Sequence, residues 1–174
     1  MNQGFIQVYT GNGKGKTTAA LGQAVRAAGA GLKSYIVQFM KEYPYSELDS
    51  LKNLSTLITI EQFCSDEFVI KRVPPSNEEI EKAKHALKVA AEKMLSGKFD
   101  LIILDEVCVA IYFGLLTVED VLPLINKKPG NVELILTGRY CPKELIDRAD
   151  LVTEMQEVKH YYQKGILSRK GIES

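Results

Sequence analysis

The chemistry of this chain is concentrated in Tyr9-Thr10-Gly11-Asn12-Gly13-Lys14-Gly15-Lys16-Thr17-Thr18. Glycines at 11, 13 and 15 let a backbone curl close to a polyphosphate, so that successive N–H groups point inward as an anion nest. A helix beginning at this point adds partial positive charge. Lys16 would reach the β and γ oxygens of a nucleotide, and the Thr17 hydroxyl would ligate Mg²⁺. The ordinary phosphate-loop pattern places a glycine five residues before Gly15, where this chain has Thr10. The glycine stands one place later, at Gly11, and an additional lysine, Lys14, lies inside the loop.

Two further segments carry matching chemistry. Asp105-Glu106 follows the apolar run Leu101-Ile102-Ile103-Leu104. A carboxylate at the end of a buried strand is the usual partner of a phosphate loop, because ligands of open α/β sheets gather at the strands' carboxyl ends. Asp105 would hold Mg²⁺ directly or through water, and otherwise would cap a following helix. Glu106 would contact the substrate or support the groups that hold the metal. Thr137-Gly138-Arg139 ends another apolar strand on the same edge, and Arg139 could clamp phosphate oxygens with its fork of donors.

These residues need a frame, and the remaining pattern supplies it. Phe5–Tyr9, Lys33–Phe39, Leu57–Phe63, Leu101–Leu104, Val132–Leu136 and Leu151–Met155 read as strands. Thr17–Ala28 reads as the helix after the loop, and Met40–Asn53 as a loop or short irregular helix. Ser76-Asn77-Glu78-Glu79 is a capping box, followed by Ile80, Ala83, Leu87, Ala90 and Met94 at helical spacing. Thr117 starts another helix, and Pro142 suits the first position of a short one. His85 falls off the apolar stripe, as a solvated helix-face residue. Strands alternating with helices predict an α/β fold: a single-domain, RecA-like P-loop arrangement over 1–174, its sheet mostly parallel with helices on both faces.

Composition narrows the function. Lys plus Arg equals Asp plus Glu at 22 each, so no global field favours nucleic acid. No apolar run approaches the ~20 residues of a membrane span, and no leader-like segment precedes the first strand. The expectation is a cytoplasmic protein without membrane or nucleic-acid partners. Cys64, Cys108 and Cys141 are odd in number and scattered, which argues for free buried thiols over disulfides or zinc.

Taken together, these motifs resemble the ATP:corrinoid adenosyltransferases. The likeness runs through Val8–Ala20, Val37-Gln38-Phe39-Met40-Lys41, Asp100–Glu106, Leu136–Arg139 and Ala149–Met155, and into Val158-Lys159-His160 and Arg169–Glu173. The shifted glycine and Lys14 match that family's loop. The resemblance implies that ATP is a co-substrate, that a reduced corrinoid is the acceptor, and that Mg²⁺ sits on Thr17 and Asp105. Lys16, Asp105, Glu106 and Arg139 would carry catalysis. Thr10, Gly11, Asn12, Gly13, Lys14, Gly15, Lys16, Thr17, Thr18 and Arg139 would hold the nucleotide, which the family binds reversed relative to ordinary P-loop enzymes. The resemblance further implies a homodimer and an electron donor or reductase that supplies Co(I).

The chain departs from the family in two respects. Longer members carry an N-terminal extension over the corrinoid, whereas Met1–Gly4 alone precede the first strand here. The family's usual Phe and Trp pair, which excludes the lower axial ligand, has no Trp counterpart; Phe68 is the candidate corrinoid contact in that stretch, and His160 the candidate in the tail. The alternative reading on the same fold is a P-loop ATPase or small-molecule kinase, with Glu106 orienting water.

Overall fold

A strand such as Leu101–Asp105, apolar on both sides, is stable only with cover on both faces. That requirement organises the computed structural model, which describes residues 1–41, 45–54, 56–65, 67 and 73–173. Six strands are described: β1 (Ile6–Thr10), β2 (Ser34–Phe39), β3 (Ile58–Phe63), β4 (Leu101–Asp105), β5 (Glu133–Thr137) and β6 (Leu151–Glu154). They form one sheet in the order β3-β2-β4-β5-β1-β6, and every neighbouring pair is parallel. The fold is therefore α/β and RecA-like, with all five described pairings parallel.

Period-two alternation sorts the strand side chains between two cores. Ile36, Ile103 and Ile135 face α1 (Lys16–Gly29) through Ala20, Ala24 and Ala27. These alanines carry little side chain, which lets the helix that follows the phosphate loop lie close to the sheet. On the other face Tyr35, Val37, Ile102, Leu104, Leu134 and Leu136 pack beneath the remaining longer helices. Those are α3 (Asn77–Leu95), α4 (Val107–Tyr112) and α5 (Val118–Asn126). The short helix α2 (Ser46–Leu51) lies in the segment read as loop or irregular helix, and α6 (Lys143–Ile146) follows β5.

Local signals mostly act as expected. The Ser76 side chain accepts from the Glu79 amide, and the Glu79 carboxylate accepts from the Ser76 amide at 2.6 Å. Thr117 and Asp120 form the same reciprocal cap on α5. Such caps are worth about 1 kcal/mol each. Pro142 stands one residue before its expected place, as the cap residue of α6 rather than its first helical one. Its carbonyl accepts from the Leu145 and Ile146 amides. His85 is exposed and meets the Phe63 ring edge-on. Among the described residues, no helix is long and apolar enough to cross a membrane.

Candidate active site

β1 ends at Thr10, and the chain turns under a close ceiling. Gly11 has φ 91°, and a Cβ there would lie 2.5 Å from the Met155 carbonyl oxygen. The Gly13 amide donates to that same oxygen at 2.6 Å, and the Met155 amide donates to the Thr10 carbonyl at 2.9 Å. The loop is thus seated on the chain leaving β6. Lys16 curls inward, its ammonium donating to the carbonyls of Gly11 and Gly13 at 2.7 Å each. Burial lowers the pKa of Lys16; the nearby Glu106 and Asp105 carboxylates oppose that shift without cancelling it.

Across the sheet edge, Asp105 is fully buried at the end of β4. Its carboxylate accepts four hydrogen bonds: from the hydroxyls of Thr17 (2.9 Å) and Thr137 (2.7 Å), the Gln38 amide (3.1 Å) and the Lys41 ammonium (2.8 Å). Lys41 also donates to the Thr17 hydroxyl at 2.8 Å. The cluster draws on the start of α1, β2 and the residues just past it, β4 and β5, and binds them at one point. An ionised carboxylate can be buried only with such pairing. Burial works to lower the pKa of Lys41, yet the attraction and hydrogen bond of Asp105 raise it overall.

Glu106 follows with a left-handed backbone, φ 63°, and its amide donates to the Thr137 hydroxyl at 2.9 Å. Among the described residues, all non-glycine residues with positive φ stand just past strand ends: Met40, Cys64, Glu106 and Tyr140. Such conformations cost of order 1 kcal/mol or more and collect at functional edges. The turn at Met40 sends Lys41 back over the strand end. Burial and the Asp105 charge raise the pKa of Glu106, against Lys41, Lys16 and Arg139. Gly138 lets β5 press against α4, since a Cβ there would meet that of Cys108 at 2.8 Å. The next residue, Arg139, stands exposed at the rim.

Lys16, Thr17, Lys41, Glu106 and Arg139 line a cavity of about 690 Å³, together with Tyr45, Glu47, His160 and the tail at 171–173. The tail reaches the phosphate loop directly. Lys14 donates to the Ile172 carbonyl at 2.9 Å and pairs with Glu173 at 3.4 Å. Glu173 in turn accepts from Tyr161 and pairs with Arg169. His160 accepts the Tyr162 amide on Nδ1, capping a short turn while lining the cavity.

A phosphate loop wired to a buried strand-end aspartate restricts the family, and comparison with known proteins identifies it. The family model of ATP:corrinoid adenosyltransferase BtuR/CobO/CobP matches residues 2–174. This chain belongs to that family. The corrinoid adenosyltransferase CobA of Salmonella typhimurium is 35% identical over 179 residues, covering 98% of this chain and 86% of that protein. Corrinoid adenosyltransferases of Escherichia coli and Pseudomonas aeruginosa are each 34% identical, over 98% of this chain and 86% and 84% of theirs.

Within this adenosyltransferase frame, the sequence-derived residues separate into groups. Lys16, Thr17, Asp105 and Glu106 converge, and Arg139 and His160 reach the same cavity. Asn12 and Thr18 are exposed beside the loop, and Thr10 is buried, its hydroxyl accepting the Cys141 amide. Lys14 engages the tail rather than the loop interior. Phe68 lies outside the described residues. Cys64 and Cys108 are buried and Cys141 is half-buried, with no disulfide among the described residues. Sequence reasoning gave no role to Lys41 or Gln38. The available signal was polarity at the end of an otherwise apolar strand, since a buried polar group demands a partner.

Proposed function

We propose that this protein transfers the 5′-deoxyadenosyl group of ATP to the Co(I) centre of a reduced corrinoid, releasing triphosphate, in adenosylcobalamin biosynthesis or salvage. The observation that carries this reading is the hydrogen bond from Thr17 to the buried Asp105 beside the inward-curled Lys16 of the phosphate loop, in a chain of this family. In the reaction the electron pair of the Co(I) substrate forms the Co–C5′ bond. The C5′–O bond breaks, and its electrons leave with the triphosphate. No proton need move. The protein must bring C5′ to cobalt, a contribution of up to ~7–11 kcal/mol, and must neutralise a developing polyanion with charge already in place.

The side chains suit that task. Asp105 already accepts four hydrogen bonds and is a positioning group rather than a base. Lys16 stands in the nest with its ammonium beside the inward carbonyls, and moves onto phosphate oxygens when a nucleotide enters. Arg139 at the rim offers a second, forked cation. His160 and the tail close the far wall of the cavity, and Phe68 meets the corrinoid.

The donor set of Thr17 and Asp105, one hydroxyl and one carboxylate at the same point, fits Mg²⁺, which takes few carboxylates and keeps its waters. Thr17 would ligate it and Asp105 would hold it through water; the ion supplies charge neutralisation to the leaving triphosphate. The protein works as a single-domain, cytoplasmic homodimer, with a separate reductase delivering Co(I).

The test is anaerobic mixing with ATP, Mg²⁺ and chemically reduced cob(I)alamin. A photolabile adenosylcorrinoid spectrum should grow, and should be absent with Lys16→Ala. Release of phosphate from ATP alone, with no such band from cobalamin, cobinamide or the cobyrinic acid diamide, would overturn the reading in favour of an ATPase.

A further inference from the structure

Lys41 is nine-tenths buried, and its ammonium stands 2.8 Å from both the Thr17 hydroxyl and the Asp105 carboxylate. Those are the groups through which a nucleotide-bound divalent ion would be held, so a cation of the protein's own already lies between them. The carboxylate's other acceptor directions are filled by Gln38 and Thr137, which belong to strands of the sheet, and by Thr17 in the first turn of α1, whereas Lys41 lies beyond the end of β2. The left-handed turn at Met40 fixes the direction of Lys41. Tyr45 offers the ammonium a second seat, its ring centroid 5.3 Å away on the cavity side.

We infer that Lys41 is a positioning residue that holds the cation place in the nucleotide-free protein and excludes a divalent ion from Thr17 and Asp105 until polyphosphate draws the ammonium away. The inference rests on the magnesium-nucleotide reading above. Its physical content is competition: a +1 and a +2 charge cannot share one buried hydroxyl–carboxylate pair. An arriving triphosphate supplies the negative charge that makes both tolerable, with Lys41 swinging toward the phosphates and Tyr45. Metal entry is thereby coupled to nucleotide entry, and the protein does not collect free divalent ions in a site that only a metal–nucleotide complex should fill.

The experiment is binding of Mn²⁺ alone, without nucleotide or corrinoid, followed by electron paramagnetic resonance of the free ion. Wild-type protein should bind Mn²⁺ only weakly. Lys41→Met, which keeps the stem and removes the charge, should bind Mn²⁺ tighter by a factor in the ordinary coupling range of roughly 5–150. The gain should vanish in Lys41→Met/Asp105→Asn and be absent in Lys41→Arg. Equal Mn²⁺ affinity in wild type and Lys41→Met overturns the inference. If Lys41→Met does not fold, the wild type decides: a tight Mn²⁺ site without nucleotide overturns it. A wild-type site that forms only when ATP is added supports it. Because no corrinoid is present, failure here leaves the adenosyl-transfer reading untouched, and failure of the cob(I)alamin assay leaves this result standing.

Discussion

The inner and outer halves of the cavity are built on opposite principles. The inner half joins Thr17, Lys41, Asp105 and Thr137 through short hydrogen bonds, with Lys16 held beside them on the Gly11 and Gly13 carbonyls. The outer half joins Lys14, Arg169 and Glu173, where Lys14 and Arg169 are about half exposed. In the inner half each charge depends on its partner, because an unpaired buried ion is far costlier than a solvated one. In the outer half water can replace any partner, and exposed pairs are worth ~0–1 kcal/mol. Two lysines separated by a single glycine thus live under different rules.

That contrast predicts a steep order of effects. Lys16→Ala should reduce kcat/KM for ATP the most, by roughly 10²–10³ or more, the scale of losing a preorganised charge donor. Steady-state kinetics with reduced corrinoid measures it. Asp105→Ala strands the Lys41 ammonium and should cost about 3–5 kcal/mol in urea unfolding; a loss below ~1 kcal/mol would show the inner cluster to be as solvated as the outer.

Gly11→Ala comes next. Its Cβ would collide with the Met155 carbonyl at a left-handed φ, so ~1–3 kcal/mol of strain falls on the loop and ATP affinity falls with it. Calorimetric ATP titration alongside thermal melting separates the two.

Glu106 gives a smaller and oppositely signed effect. Its folded-state pKa is raised, so the folded protein keeps the proton longer than the unfolded chain. Its contribution to stability is therefore full below the ordinary glutamate range and declines as pH rises through the raised value. Glu106→Gln should melt higher than wild type at neutral pH and converge with it below about pH 4. A variant that melts lower at pH 7 would mean that Lys16, Lys41 and Arg139 outweigh burial. Smallest of all, Glu173→Gln should change stability by less than ~1 kcal/mol and only slightly alter ATP binding. An effect matching that of Asp105→Ala would erase the distinction between the halves.

Much of the inner half was legible beforehand, because its residue types announce their chemistry at fixed spacing. Gly-Lys-Thr-Thr after a strand and Asp-Glu after four apolar residues locate the loop and its partner. The uninterrupted apolar run Leu101–Leu104, among strands that alternate with helices, likewise told the sheet and its cover. Lys41 was not legible as a functional group, since a lysine past a strand end is ordinary surface composition until the turn at Met40 points it inward. Helix α4 begins without a side-chain cap directly at Glu106, so no start signal separated it from the strand. The outer half depends on contacts between Lys14 and 172–173, a separation that no local pattern encodes.

The position of β1 in the sheet has a consequence for how the molecule is made. Its neighbours are β5 and β6, so the strand bearing the phosphate loop has no partner until residues 133–154 have been synthesised. At ~5–20 residues per second that interval is on the order of ten seconds. During it, an apolar strand with both edges bare precedes a glycine-rich turn whose ceiling, Met155, does not yet exist. Nucleotide cannot assist the early stages of folding, because the nest that would grip it closes among the last features of the domain. Slow, non-local closure of this kind leaves β1 open to mispairing while the chain is still being made.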